Sequence, residues 1–353
     1  MLVLVTGHAG FIGYHVARRL LARGDSVVGL DSLDDYYDVR LKEARLAELA
    51  GFAGRAGADY SFVRADLAEP GTVADVLAGR RFDRVIHLAA QPGIAFSTMH
   101  PERTIRSNVI GFANVLEGVR RAAVPHLTYA STSSVYGASR ALPFAEGTPA
   151  DHPLQLYAAT KRSNELMAHS YSQLHGLATT GLRFFTVYGP WGRPDMALYR
   201  FAEQIMSGEP IDLYDEGRHT RDFTFIDDIV DGVLAASDHV AGADPNWDSK
   251  APDAASSRAP WRVFNLGSGK PVGLTQYVDA LEDALGRKAI RRLLPRRPED
   301  MEDTWADLTR AREILGYRPK TSIREGVAQF AEWYLGYTRR PGDLAHDSRP
   351  LLA

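Results

Sequence analysis

Four apolar residues, Leu2 to Val5, run straight into Gly7-His8-Ala9-Gly10-Phe11-Ile12-Gly13 and then into an amphipathic stretch, Phe11–Ala22. A strand, three glycines and a helix in immediate succession leave few options. The chain must turn tightly, pass close to a second backbone and pack a helix on a sheet. The start of such a helix presents unpaired N–H groups and a positive dipole end, which suits the phosphates of a dinucleotide. By itself the turn is also open to a glycine-rich loop without a ligand. Asp31 narrows the choice. It closes the second β-branched run at the spacing where a carboxylate receives the adenine-ribose hydroxyls, which favours NAD and repels the 2′-phosphate of NADP. Gly7, Gly10, Phe11, Ile12, Gly13 and Asp31 are therefore expected to bind NAD. Asp66 and Leu67, after the third strand, are expected at the adenine, with a surface turn as the ordinary alternative for Asp66. Leu88, Ala89 and Ala90 end the fourth strand with small side chains that suit close approach of a cofactor, or plain core packing.

Further along, short β-branched runs alternate with amphipathic stretches, as in a parallel sheet covered by helices. The expected strands are Leu2–Val5, Ser26–Leu30, Ser61–Val63, Arg84–Leu88, Leu127–Ser131 and Ala178–Phe184. The expected helices between them are Phe11–Ala22, Thr72–Leu77, Glu102–Arg121 and Tyr157–Leu174. This predicts a Rossmann-type, doubly wound α/β fold with a smaller mixed α/β lobe. Residues 1–186 are expected to form the NAD-binding domain, with later segments near 224–265 returning to it. Residues 187–337 supply mainly the substrate lobe, with helices at Ala197–Met206, Thr275–Leu285 and Ile323–Leu335 and strands near Ile211–Tyr214 and Asp222–Phe225. Residues 241–260 read as a surface loop and 338–353 as a frayed tail.

Composition excludes several classes of function. Over 353 residues, 45% apolar and 24% charged content suits a globular enzyme rather than a disordered or fibrous chain. A net charge of −3 gives no field for capturing nucleic acid or an anionic membrane, so neither is expected as a partner. No apolar run spans a bilayer, and no basic leader precedes the first strand. The sequence contains no cysteine, which excludes disulfides and thiolate chemistry and suits the cytoplasm. The histidines lack metal-ligand spacing, and no metal is expected.

Tyr157 and Lys161 stand four apart on a predicted helix and so share one face. A free tyrosine, with a pKa of about 10, is a poor base at neutral pH, but an adjacent ammonium can lower it by roughly one to three units. Tyr157 is thus a candidate base. Strand Leu127–Ser131 ends in Ser131-Thr132-Ser133-Ser134, small hydroxyl residues at the carboxyl edge of the sheet where ligands of such folds bind. Thr132 could hydrogen-bond the reacting hydroxyl. A surface tyrosine beside a solvated lysine is the alternative, and it is the joint presence of the glycine turn, the hydroxyl run and this helix that speaks for chemistry.

On these stretches the chain resembles the extended short-chain dehydrogenases, and most closely the UDP-glucuronate 4-epimerases, to about Gly336. Further matching stretches are Asp34-Asp35-Tyr36-Tyr37-Asp38, Ser131 to Gly137, Tyr157 to Lys161, and Leu182 to Ala197, which includes Trp191-Gly192-Arg193-Pro194-Asp195. The resemblance implies that Tyr157 takes the 4-hydroxyl proton of a UDP-sugar while hydride leaves C4 for the nicotinamide. The 4-keto sugar then turns over and takes the hydride back on its other face. Lys161 would also hold the nicotinamide ribose, with Ser131 beside the cofactor. Thr132, Ser133, Ser134, Thr186 and Arg193 would surround the sugar carboxylate, Tyr214 would flank the uracil, and Arg221, Arg297 and Asp300 would bind the UDP moiety. A homodimer built on a four-helix bundle is implied as well.

Related dehydratases and decarboxylases carry acidic residues where Ser133 and Ser134 stand, which favours 4-epimerisation of UDP-glucuronate to UDP-galacturonate. Ala95 occupies a loop position where such epimerases usually carry arginine, a departure that leaves UDP-glucose or UDP-N-acetylglucosamine open as substrates. A dehydratase or decarboxylase, and a non-catalytic NAD-sensing protein, are the rival functions. The latter is expected to have lost Tyr157, Lys161 or Thr132.

Overall fold

The computed structural model describes residues 1–295 and 303–339, so the expectations for Arg297, Asp300 and the end of the tail lie outside the described residues. Seven strands form the main sheet, in the order Trp261–Leu266, Ala178–Phe184, His126–Thr132, Arg84–His87, Leu2–Thr6, Ser26–Asp31 and Tyr60–Arg64. All six pairings are parallel. Such a sheet needs cover on both faces. The alternation of side chains supplies it: Val3 and Val5 join one apolar cluster with the Phe11–Ala22 and Ile226–Asp238 helices, whereas Leu4 joins a second with the Gly111–Arg121 and Leu156–His175 helices. Strands His126–Thr132 and Ala178–Phe184 are buried along their whole length.

Leu2–Thr6 lies between Ser26–Asp31 and Arg84–His87, so the chain's progress across the sheet reverses at this point. The loops after the first and fourth strands therefore diverge and leave a crevice at the carboxyl edge. Beyond the main sheet, Pro210–Tyr214 pairs with Ile290–Leu294, and Thr220–Phe225 pairs with Thr186–Tyr188, Pro271–Gly273 and Asp303–Thr304. Helices Ala197–Ser207, Leu274–Leu285 and Ile323–Thr338 complete this lobe, and residues 241–260 contain neither helix nor multi-residue strand. Among the described residues no helix is long and apolar enough to cross a membrane.

Several elements differ from the sequence-based expectation, among them the following. Val39–Ala56 is an eighteen-residue helix, capped by Asp38 and ended by Gly57 in the left-handed region. Its buried side includes Lys42 and Arg45 beside Leu41, Leu49 and Ala53, which dilutes the apolar periodicity. Trp261–Leu266 adds an edge strand to the main sheet. The expected helix Glu102–Arg121 is interrupted: Pro101–Ile105 leads into a π-helical turn, Arg106–Ile110, before the regular helix Gly111–Arg121. The wide turn buries Asn108, whose side-chain amide donates to Gln91 O and Thr160 Oγ1, each at 3.1 Å, and whose Oδ1 accepts from Gln91 N at 2.7 Å. A π turn of this kind often marks a functional site.

Candidate active site

A cleft of about 810 Å³ opens at the carboxyl edge of the main sheet. Its floor is the glycine turn. Gly7 has a φ of +70°, and a Cβ there would come within 2.5 Å of Ala89 N, while one on Gly13 would come within 2.1 Å of Gly7 O. Only glycine permits this approach between the loops after the first and fourth strands. The Phe11–Ala22 helix starts at Gly10 with no side-chain cap and no acidic residue in its first turn. Its leading N–H groups are therefore available to an anion. Asp31, buried at the end of the second strand, accepts from Ala9 N at 3.1 Å and from Leu33 N at 2.9 Å, which fixes its carboxylate at the rim of the turn. An uncapped helix start facing a cleft with a fixed carboxylate beside it fits the pyrophosphate and ribose of a dinucleotide.

Every residue assigned from sequence to the cofactor lines this cleft: Gly7, Gly10, Phe11, Ile12, Gly13, Asp31, Asp66, Leu67, Leu88, Ala89, Ala90, Ser131, Tyr157 and Lys161. Across the mouth, the Arg103 guanidinium donates to Asp34 at 2.8 Å and Asp35 at 2.9 Å, and Arg106 pairs with Asp66 and Glu69. Thr132, Ser133, Ser134, Thr186 and Arg193 line the same cleft. Tyr214 and Arg221 do not; they sit on the second lobe's strands, where Arg221 Nη1 donates to Thr220 O at 2.9 Å.

Local structure explains how the hydroxyl run and the helix meet. Thr132 ends its strand in extended conformation and caps the short 3-10 turn Ser133–Tyr136, its Oγ1 accepting from Ser134 N at 3.2 Å. Tyr157 is the second residue of the Leu156–His175 helix, and its N–H donates to Ser97 Oγ at 3.2 Å. One turn on, Lys161 is 1% exposed. A further turn on, buried Glu165 accepts from Ser131 Oγ at 2.6 Å, from Arg183 Nε and Nη2 at 2.9 Å each, and from Arg162 Nη1 at 2.8 Å. No sequence motif marks Glu165, and Arg183, although it lies in the matching stretch Leu182 to Ala197, has no role assigned to it from sequence. The one signal that could have found Glu165 is its place four residues after Lys161, on the same face of the helix.

The electrostatics depart from expectation at Tyr157. Burial pushes the phenol above its ordinary value, and the influences that pull it back are the Arg193 charge and hydrogen bonding to Thr132. A phenol lowered by the lysine is therefore not what the protein alone provides, because the cost of burying a phenolate outweighs the nearby positive charge. Burial pushes Lys161 down to about 8, against an opposing influence from Glu165. For Glu165, burial acts to raise the carboxyl, but Arg183, Ser131 and Arg162 together more than offset it and the net direction is down.

Arg45 carries no sequence signal either, yet it supports the site. It is wholly buried on the Val39–Ala56 helix and donates to Ala9 O at 2.8 Å, Tyr37 Oη at 2.7 Å and Trp191 O at 2.6 Å. One side chain thus ties the glycine turn to the segment that carries Arg193.

Comparison with known proteins identifies the family. Residues 3–248 match the model of the NAD dependent epimerase/dehydratase family. The chain belongs to that family. Among similar members of the epimerase/dehydratase family, a probable UDP-glucuronate 4-epimerase of Rhizobium meliloti (strain 1021) is 47% identical over 346 residues, covering 95% of this chain and 97% of the relative. UDP-glucuronate 4-epimerase 3 of Arabidopsis thaliana is 44% identical over 341 residues, covering 95% and 76%. The crystal structure of the Bacillus cereus UDP-glucuronic acid 4-epimerase with UDP-glucuronic acid and NAD superposes with a TM-score of 0.81 at 30% identity, covering 95% of this chain and 99% of that one.

Proposed function

We propose that this family member is an NAD-dependent UDP-sugar 4-epimerase that interconverts UDP-glucuronate and UDP-galacturonate. The observation that carries the reading is a single cleft lined by the glycine turn, Asp31, the Thr132–Ser134 hydroxyls, Tyr157 and Lys161. Bound NAD supplies the acceptor and donor of the electron pair at C4. Gly7, Gly10, the start of the Phe11–Ala22 helix and Asp31 hold it, with Asp66, Leu67 and Leu88–Ala90 along the adenosine side.

Tyr157 Oη takes the proton of the sugar's 4-hydroxyl and returns it after the sugar has turned over. Thr132 Oγ1 orients that hydroxyl, and Lys161 sets a positive charge one helical turn away, which favours the phenolate. Ser133, Ser134, Thr186 and Arg193 hold the uronate carboxylate. These hydroxyls contribute no proton shuttle for elimination at C5, which supports epimerisation over dehydration. Tyr214 and Arg221, with Arg297 and Asp300, serve the UDP half, so residues 1–186 bind mainly the cofactor and residues 187–337 mainly the nucleotide sugar.

A homodimer, located in the cytoplasm, completes the reading. Exposed Ile105, Ile110 and Leu166 on neighbouring helices support a partner surface there. Product analysis by NMR after incubation with NAD and UDP-glucuronate tests the activity. UDP-galacturonate is expected; release of carbon dioxide and a pentose product, or turnover of UDP-glucose alone, contradicts it.

A further inference from the structure

Arg193 does not enter the cleft alone. Its Nε donates to Asp195 Oδ1 at 3.0 Å and its Nη2 to Asp195 Oδ2, a two-point grip that uses one edge of the guanidinium. Tyr36 Oη donates to the same Asp195 Oδ2 at 3.1 Å, and the Arg193 guanidinium carbon lies 5.9 Å from the centre of the Tyr36 ring. Tyr36 is itself seated: its ring meets Phe96 edge-on at 5.1 Å, and a Cβ on Gly93, whose φ is +103°, would come within 2.5 Å of its hydroxyl. The positive φ favours glycine at 93, and a side chain there would also displace the Tyr36 hydroxyl.

The backbone on the other side of Arg193 is equally constrained. Trp191 has a φ of +61°, rare for a bulky residue and tolerated only where neighbours impose it. Arg45 grips its carbonyl oxygen. The segment is therefore held at its backbone by Arg45 and at its charged end by Asp195 and Tyr36. Such investment in one guanidinium indicates that its orientation matters.

We propose that Asp195 and Tyr36 are positioning residues that set the preference for an acidic over a neutral sugar, by holding Arg193 with its remaining donors available to a carboxylate in the cleft. This rests on reading the cleft as a uronate site. Asparagine at 195 keeps the size but replaces one acceptor with a donor, so the two-point grip cannot form.

Isothermal titration of the NAD-loaded protein with UDP-glucuronate, UDP-glucose and UDP tests this. In Asp195→Asn the ratio of the UDP-glucose to the UDP-glucuronate dissociation constant is expected to fall about tenfold, the order of one lost charge-assisted hydrogen bond. UDP alone should bind as in wild type. Tyr36→Phe, which keeps the ring and loses the hydroxyl, should shift the ratio the same way by a smaller factor. A ratio near one in wild type, a ratio unmoved or raised in Asp195→Asn, or equal weakening of all three ligands overturns the proposal. Failure of the epimerase reading is registered separately, in the identity of the product formed by wild type.

Discussion

Glu165 is fully buried, and its carboxylate is the only acid within reach of Arg183 among the hydrogen bonds described: both Arg183 contacts measure 2.9 Å. Replacing it with glutamine keeps the shape but removes the charge and turns an amide donor toward guanidinium donors. Arg183 then retains the glutamine carbonyl oxygen as one possible acceptor, Glu146 O at 3.3 Å and the Tyr136 ring at 4.9 Å, none of which carries a charge to neutralise it. Removing one partner of a buried ion pair costs about 3–5 kcal/mol. Arg162 is partly exposed and can turn to water, so the lower half of that range, about 3–4 kcal/mol, is expected. With an unfolding entropy of roughly 2.1 cal/mol/K per residue, a chain of 353 residues should lose about 4–6 °C in Tm. Thermal unfolding of Glu165→Gln, Arg183→Met and the double variant measures this. Because the double variant leaves no uncompensated buried charge at this pair, it should be less destabilised than the two single changes summed, by about 2 kcal/mol or more. Additive losses would refute the ion-pair reasoning.

The remaining predictions concern the cleft and pH. Tyr157→Phe should reduce epimerase kcat by at least about a hundredfold, the lower range for a lost general base, with NAD content unchanged; near-normal turnover in a coupled assay counts against the base. Lys161 is held down to about 8 from 10.5, chiefly by burial, so between those values the unfolded chain binds more protons and stability rises with pH. Lys161→Met should therefore be more stable than wild type at pH 7 by about 3 kcal/mol, a gap that closes toward pH 10; a gap that widens in denaturant titrations contradicts this. Buried His8, His87 and His126 are lowered to about 4, 3 and 4 by burial, so their contribution is complete above about 6.5 and is lost as pH falls toward those values. Denaturant midpoints should fall steadily from pH 6.5 to 4.5, whereas a flat profile would exclude neutral burial of these rings.

What is legible in the sequence is what covalent spacing controls. The glycine turn, Asp31, the hydroxyl run after Tyr129-Ala130 and the four-residue step from Tyr157 to Lys161 are each set within one element or one strand-to-helix junction. Partners distant along the chain are not legible. Arg45 meets Trp191 across 146 positions, and Tyr36 meets Asp195 across 159. The Val39–Ala56 helix escapes a periodicity reading because its buried face carries arginine and lysine. The π turn at Arg106–Ile110 is hidden inside a helical pattern that it widens without breaking. The direction of the Tyr157 shift runs against the sequence-based expectation because spacing reveals a neighbouring lysine but not the cost of burial.

The most direct measurement follows an isotope at carbon 4. UDP-glucuronate carrying deuterium there, incubated with the NAD-loaded protein in ordinary water, should yield UDP-galacturonate that keeps the deuterium at the inverted centre. Loss of the label to solvent would mean that the carbon is deprotonated instead of oxidised and reduced in place, and the role assigned to the Tyr157 cleft would be wrong.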